Sequence, residues 1–204
     1  MPVETNPREV IMTHAETRVQ DHYGRTGLLE RISTALKETG GDPERLNYQD
    51  LFPFEQLHSR GIAATKEHVE RAGIRPGMHV LDLGCGIGGA SCYLAAACGC
   101  RATAIDLTTE YVGVALVLTA RCGLADRIEY RRANALGLPF EDGRFDHVWS
   151  QHVTMNIADK KALAAEVARV LTPGGRFSCS ELAQGPGGAP DYPLPWGRTQ
   201  RTAF

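Results

Sequence analysis

Hydrophobic positions change their spacing near residue 78. Before it they recur three and four apart. Leu28, Leu29, Ile32 and Leu36 fall on one face of a helix that Gly40-Gly41-Asp42-Pro43 ends. Phe52-Pro53-Phe54 reads as a kinked connection, and Ile62 to Ala72 as a second helix closed by Gly73 and Pro76-Gly77. After residue 78, short β-rich runs alternate with helical ones. His79–Leu83, Arg101–Asp106, Arg127–Arg131, Phe145–Ser150 and Gly175–Glu181 read as strands, with helices over 90–97, 111–122 and 160–171. This alternation predicts βαβ units and a doubly wound, mostly parallel α/β sheet covered on both faces. Three parts are expected: a helical lid over 1–75, the core over 76–183, and a Pro/Gly-rich segment over 184–204.

Charge and composition narrow the partners. The 22 Lys and Arg against 24 Asp and Glu leave a net charge of −2, which argues against nucleic acid or an anionic membrane surface as the main partner. At 204 residues the chain is one domain with a small appendage, able to bury about 70% of its unfolded surface without staples. Residues 1–19 are too polar for a signal peptide, and no apolar run is long enough to span a bilayer, so a cytoplasmic location is expected. The six cysteines lack CxxC pairing and a histidine cluster; they read as buried thiols in a reducing compartment, and no metal site is expected.

The chemistry concentrates between the first strand and its helix, in Leu81-Asp82-Leu83-Gly84-Cys85-Gly86-Ile87-Gly88-Gly89. Glycines let the backbone turn sharply and approach a ligand, and the helix N-terminus is expected to offer free N–H groups. Asp106 ends the second strand 22 residues after Gly84, where a carboxylate can accept both hydroxyls of an adenosine ribose or, alternatively, cap the next helix. Together these indicate a nucleoside cofactor. Gly84, Gly86 and Gly89 also satisfy GxGxxG, so a nicotinamide cofactor is the rival. Asp82 stands in an apolar strand and needs backbone N–H groups or a cationic ligand to offset its burial. Asn134, in Ala133-Asn134-Ala135-Leu-Gly-Leu-Pro-Phe, can bond an adenine edge.

The ordered set V-L-D-L-G-C-G-x-G-G, A-I-D-L-T, N-A-L-G-L-P-F, F-D-H-V-W-S and R-V-L-T-P-G-G-R-F resembles the class I S-adenosylmethionine (SAM) dependent methyltransferases, with their Rossmann-like core, over 79–183. The resemblance implies that Asp82, Gly84, Cys85 and Gly86 hold the methionine and ribose part of SAM. It implies that Asp106 takes the ribose hydroxyls, that Leu107 lies against adenine, and that Asn134, standing where the family usually has Asp, bonds the adenine amino group beside the N–H of Ala135. Trp149-Ser150-Gln151, with Gln56-Leu-His58-Ser-Arg-Gly61 and Ala63-Ala-Thr65, is similar to sarcosine/dimethylglycine N-methyltransferase-like enzymes. That narrower likeness implies that Gln151 touches SAM and that His152, Met155 and Asn156 face the acceptor pocket.

Each of these has an ordinary alternative. His152 can be a loop histidine, His58 a helix cap, Tyr23 a packed lid aromatic rather than a cover over SAM, and Asn156 a turn residue; His147, inside a strand, reads as structural. Gln56 is assigned to the acceptor with Tyr23. His152 and His58 have the ordinary imidazole pKa suited to orienting an acceptor and taking its proton.

These features point to methyl transfer to a small molecule, an amine such as a methylated glycine being favoured. The alternatives are O- or C-methylation of a natural-product scaffold, or a catalytically silent SAM-binding partner subunit. Family members close the sheet with two further strands after the fifth, and this chain shows only loop-like residues there. Either the sequence is truncated, or residues 191–204 or a second molecule cover the fifth strand's edge; the last option predicts a homodimer.

Overall fold

The computed structural model describes residues 27–55, 60–183 and 186–187. Within them run α1 (Leu28–Glu38), a 3₁₀ turn (Tyr48–Leu51), α2 (Phe52–Glu55), α3 (Ile62–Ala72), β1 (His79–Leu83), α4 (Gly89–Ala96), β2 (Arg101–Asp106), α5 (Thr109–Arg121), β3 (Ile128–Arg132), β4 (Phe145–Gln151), a 3₁₀ turn (Thr154–Asn156), α6 (Lys160–Val170) and β5 (Leu171–Ser180). All four strand pairings are parallel and the order is β3-β2-β1-β4-β5. The crossover between β1 and β4 puts the reversal of strand order beside the glycine turn, where doubly wound sheets open a crevice at their carboxyl ends.

Alternation along the strands decides which helix covers which face. Leu81, Leu83, Ile105 and Val148 point to the side where α6 brings Leu163, Val167 and Val170. The opposite face carries Ala102 and Ala104, whose small side chains let Cys92 and Ala95 of α4 come close. Its lateral part carries Val80 and Trp149 against Leu94 and Ala72. α4 itself is apolar almost all round, as suits a helix with both sides covered. In front, Ile32 and Leu36 of α1 and Leu51 bury against Ile87, Val114 and Leu118, so the N-terminal helices pack on α5 and on the glycine turn.

Two expectations about local structure are corrected. Phe52-Pro53-Phe54 is not a kinked connection but opens α2 directly after the 3₁₀ turn. Asn47 accepts from Gln49 N at 3.0 Å while Asp50 accepts from Asn47 N at 2.8 Å, a box that starts a helix, and Pro53 sits in the first turn where its missing N–H costs nothing. β5 begins at Leu171 rather than Gly175, since Leu171 pairs with Phe145 before a register shift leads to the Arg176–His147 pairing. Gly174, at φ 82, makes that irregularity. Among the described residues β5 has β4 on one side only, and Phe177 stands 41% exposed on it.

Candidate functional site

β1 ends in a turn built on three positive-φ glycines, Gly84 (79°), Gly86 (56°) and Gly88 (96°). A side chain at Gly84 would collide with Val153, and one at Gly88 with the hydroxyl of Tyr130. Gly86 differs: among the described residues nothing lies within 4 Å of where its Cβ would be, so they leave its backbone uncovered. That is the place where a ligand can meet the main chain.

Four of the turn's amides are already bonded within the protein. Gly84 N and Cys85 N both donate to Ile105 O, at 2.8 and 2.9 Å, and Gly88 N donates to Cys85 O at 2.9 Å. Gly86 N donates to Asp106 Oδ2 at 2.9 Å, and Thr108 N to Asp106 Oδ1 at 2.8 Å. Asp106 thus ties the end of β2 to the glycine turn and to the start of α5, whose N-cap is Thr108. The Thr108 hydroxyl and the Leu107 amide add to the bonds at this carboxylate. Burial raises the Asp106 pKa, opposed by the backbone N–H bonds of Thr108 and Gly86.

Asp82 is 2% exposed and accepts from Ser91 Oγ at 2.6 Å, in the first turn of α4. Burial pushes its pKa to about 6, against the Ser91 hydroxyl bond, with the Asp106 carboxylate adding to the rise. Cys85 gives the site only its backbone, because its side chain lies in the core beside Ala104 and Ala115. Leu107 is half-buried and its carbonyl accepts from Arg132 Nε at 3.2 Å. Asn134 Oδ1 accepts from Leu136 N at 2.9 Å, closing a turn that leaves Ala135 half-buried against the core. The oxygen expected to bond adenine therefore already holds one N–H.

On the neighbouring strand Gln151 and Thr65 of α3 meet side chain to side chain at 3.3 Å. His152 follows at φ 59, half-buried, with its N–H donating to Ser180 O at 2.9 Å. Burial lowers its pKa below 6.5 while the Glu181 carboxylate pulls it up, so the imidazole is mostly neutral at pH 7. Met155 and Asn156 lie in the following 3₁₀ turn. His147 is structural, as expected: it and His68 both reach Ser178 Oγ, at 2.8 and 2.9 Å, and burial lowers each to about 4. His68 also stacks on Trp149 at 3.6 Å between centroids. Tyr23, Gln56 and His58 lie outside the described residues.

Two residues escaped the sequence reading, Arg169 at the amino end of the sheet and Glu181 at its carboxyl end. Arg169 was noticed only as part of a motif, yet it grips the loop after β3, donating to Leu138 O (2.9 Å), Phe140 O (2.7 Å) and Asp142 Oδ1 (2.8 Å) while bonding Glu166. Glu181 was placed inside the fifth strand; it stands just after β5, where its carboxylate accepts from Val153 N, Thr154 N and Thr154 Oγ1. An acid at a parallel strand's carboxyl end is the signal that exposed Asp106, and it applied here too. Among the described residues no group of His, Cys, Asp and Glu is placed to hold a metal, the cysteines are free thiols, and no helix is long and apolar enough to cross a membrane.

Comparison with known proteins agrees with this geometry. Residues 81–179 match a family described as a methyltransferase domain. The chain is 32% identical over 142 residues to phosphoethanolamine N-methyltransferase 1 of Zea mays, covering 70% of this chain and 28% of that protein. It is 43% identical over 98 residues to the chloroplastic tocopherol O-methyltransferase of Arabidopsis thaliana, 48% of this chain and 28% of that one. Among solved structures, a candidate sarcosine dimethylglycine methyltransferase from Galdieria sulphuraria superposes at TM-score 0.55 with 28% identity, over 58% of this chain and 44% of the other. Geranyl diphosphate C-methyltransferase of Streptomyces coelicolor, solved with S-adenosyl-L-homocysteine, gives 0.55 with 25% identity, over 58% and 44%. The matches thus span less than a third of the two plant relatives and under half of these two structures.

Proposed function

Residues 81–179 are a domain of the methyltransferase family, and on that premise we propose that the chain binds S-adenosylmethionine and transfers its methyl group to a small molecule, with an amine such as a methylated glycine as acceptor. The observation that carries this reading is the pairing of Asp106 with the uncovered Gly86 backbone at the carboxyl ends of adjacent parallel strands. When bound, SAM supplies a methyl group on a sulfonium, ready for in-line displacement without metal or covalent enzyme intermediate. Asp106 accepts the ribose hydroxyls, Gly84 to Gly86 line the amino-acid and ribose part, and Leu107, Asn134 and Ala135 border the base. Asp82 places negative charge behind this cationic ligand.

Gln151 touches SAM, and the acceptor lies on the β4 side with His152, Met155 and Asn156; Tyr23, Gln56 and His58, outside the described residues, complete the acceptor residues of this reading. His152, neutral at pH 7, accepts the proton that an ammonium or hydroxyl acceptor must lose. Beyond this, catalysis rests on holding the two reacting atoms in line and dry. The amine reading draws on the maize and Galdieria proteins; the tocopherol enzyme, the most identical of those described, favours a phenolic hydroxyl as the second reading. The proposed assembly is a homodimer, of chains divided into a lid over 1–75, a core over 76–183 and a segment over 184–204; the side of β5 left open among the described residues, with its exposed Phe177, supports the dimer, and sedimentation tests it.

Calorimetric titration with SAM and NAD, then a methyl-transfer screen over sarcosine, dimethylglycine, phosphoethanolamine, phenols and sugars, tests the reading. Binding of SAM alone with turnover of an amine is expected. Binding of NAD overturns the cofactor, and SAM binding with no turnover on any acceptor favours the silent subunit.

A further inference from the structure

A carboxylate that captures several successive backbone N–H groups fixes a loop more firmly than the loop's own turn can. Glu181 does this for the segment after β4. Its Oε1 accepts from Val153 N at 3.2 Å, Thr154 N at 2.9 Å and Thr154 Oγ1 at 2.9 Å, and its Oε2 accepts from Met155 N at 3.4 Å. Lys160, the first residue of α6, takes the carbonyl side of the same segment, with Nζ donating to Thr154 O at 2.6 Å and Ile157 O at 2.7 Å. The loop is therefore held from both ends of its peptide dipoles, by residues 27 and 6 positions away from Thr154.

The held conformation is not a relaxed one. His152 sits at φ 59, a region that non-glycine residues avoid, and it persists because its own N–H is tied to Ser180 O and the next residue's to Glu181. The consequence reaches the cofactor turn. With the loop in this position the Val153 side chain lies directly on the α-carbon of Gly84, in the space that any larger residue there would need. One carboxylate at the end of β5 thus sets both the direction of His152 and the packing of the glycine turn at the end of β1.

We propose that Glu181 is a positioning residue for methyl transfer, which seats Val153 against Gly84 and aims His152 at the acceptor. It touches neither substrate in this role; it acts through the backbone of residues 153–155. The inference rests on the reading of the glycine turn as the SAM site and of the β4 end as the acceptor side.

The test uses the full chain with Glu181→Gln and Glu181→Ala. Without ligand, hydrogen exchange at the amides of Val153, Thr154 and Met155 is expected to speed up on the order of tenfold or more in Glu181→Ala, with β1 and β2 amides unchanged. Glu181→Gln, which keeps one carbonyl oxygen for Val153 and Thr154, gives an intermediate effect. By NMR, His152 titrates at lower pH in Glu181→Gln than in the wild type, because the carboxylate that favours the protonated imidazole is gone. With ligand, the dissociation constant of SAM rises several-fold in Glu181→Ala and is partly restored in Glu181→Gln, and kcat for the acceptor found in the screen falls more than KM rises. Unchanged exchange at 153–155 overturns the anchoring; faster exchange with unaltered SAM affinity and kcat overturns the positioning role. A wild-type chain that does not bind SAM overturns the functional reading instead, while the exchange and titration arms still decide what Glu181 holds.

Discussion

Replacing Asp82 by Asn separates the two demands placed on β1. The carboxylate is buried beside Ser91 in an otherwise apolar strand, and its midpoint moves from 3.8 to about 6, chiefly through burial. A raised carboxylate pKa stabilises the fold while the group is protonated. That contribution is fully present below 3.8 and is lost as pH rises through about 6. At about 1.4 kcal/mol for each tenfold change in proton affinity, ionising Asp82 costs the native state about 3 kcal/mol by pH 7. Asn has the same shape, keeps an oxygen for the Ser91 hydroxyl and does not ionise. The stability of Asp82→Asn relative to the wild type should therefore rise by about 3 kcal/mol between pH 3.5 and pH 7. Urea unfolding of both proteins at each pH measures this, and the difference removes the carboxylates common to both. A difference that stays flat across that range refutes the assignment of the perturbed carboxylate to Asp82.

Three further outcomes follow from the same geometry. Asp106→Ala removes the acceptor of the Gly86 and Thr108 amides together with the proposed ribose contact, and should weaken SAM binding by about 1–3 kcal/mol in calorimetry; unchanged affinity would mean the ribose lies elsewhere. Glu55 buries both carboxylate oxygens with no hydrogen-bond partner among the described residues, and burial raises its pKa well above 4.5. Its favourable contribution is lost as pH rises, so Glu55→Gln should raise the melting temperature at pH 7 and lose that advantage below pH 4.5, as read by thermal scans. Arg169→Ala leaves Leu138 O and Phe140 O without their donor and Glu166 with only the Leu138 amide, and should cost about 2–4 kcal/mol in urea unfolding. A loss no greater than a surface substitution would show that the loop after β3 holds itself.

Most of the sheet was legible because each strand announces itself within a few residues. Val80, Leu81 and Leu83, or Ala102, Ala104 and Ile105, carry their burial in their own order, and Gly73 ends α3 with a left-handed cap written in the sequence. Phe52-Pro53-Phe54 misled for the opposite reason. Proline breaks a helix in its interior but opens one in its first turn, and only the Asn47–Asp50 box upstream distinguishes the two. The glycine turn was recognised by spacing, yet the fate of its amides was not, because Ile105 O and the Asp106 carboxylate reach it from another strand.

The amino-acid order by itself determined the kinds of elements, their sequence along the chain, the glycine hinge at the end of β1 and the acid at the end of β2. These depend on side-chain polarity and backbone freedom, which act over one or two turns of chain. The fold alone decided that β1 lies between β2 and β4, that Val153 rests on Gly84, that Thr65 meets Gln151, and that Glu181 closes on a loop 28 residues before it. Such partners are chosen by how crossovers stack the strands, and a hydrogen bond carries no mark in the sequence of the residue that completes it.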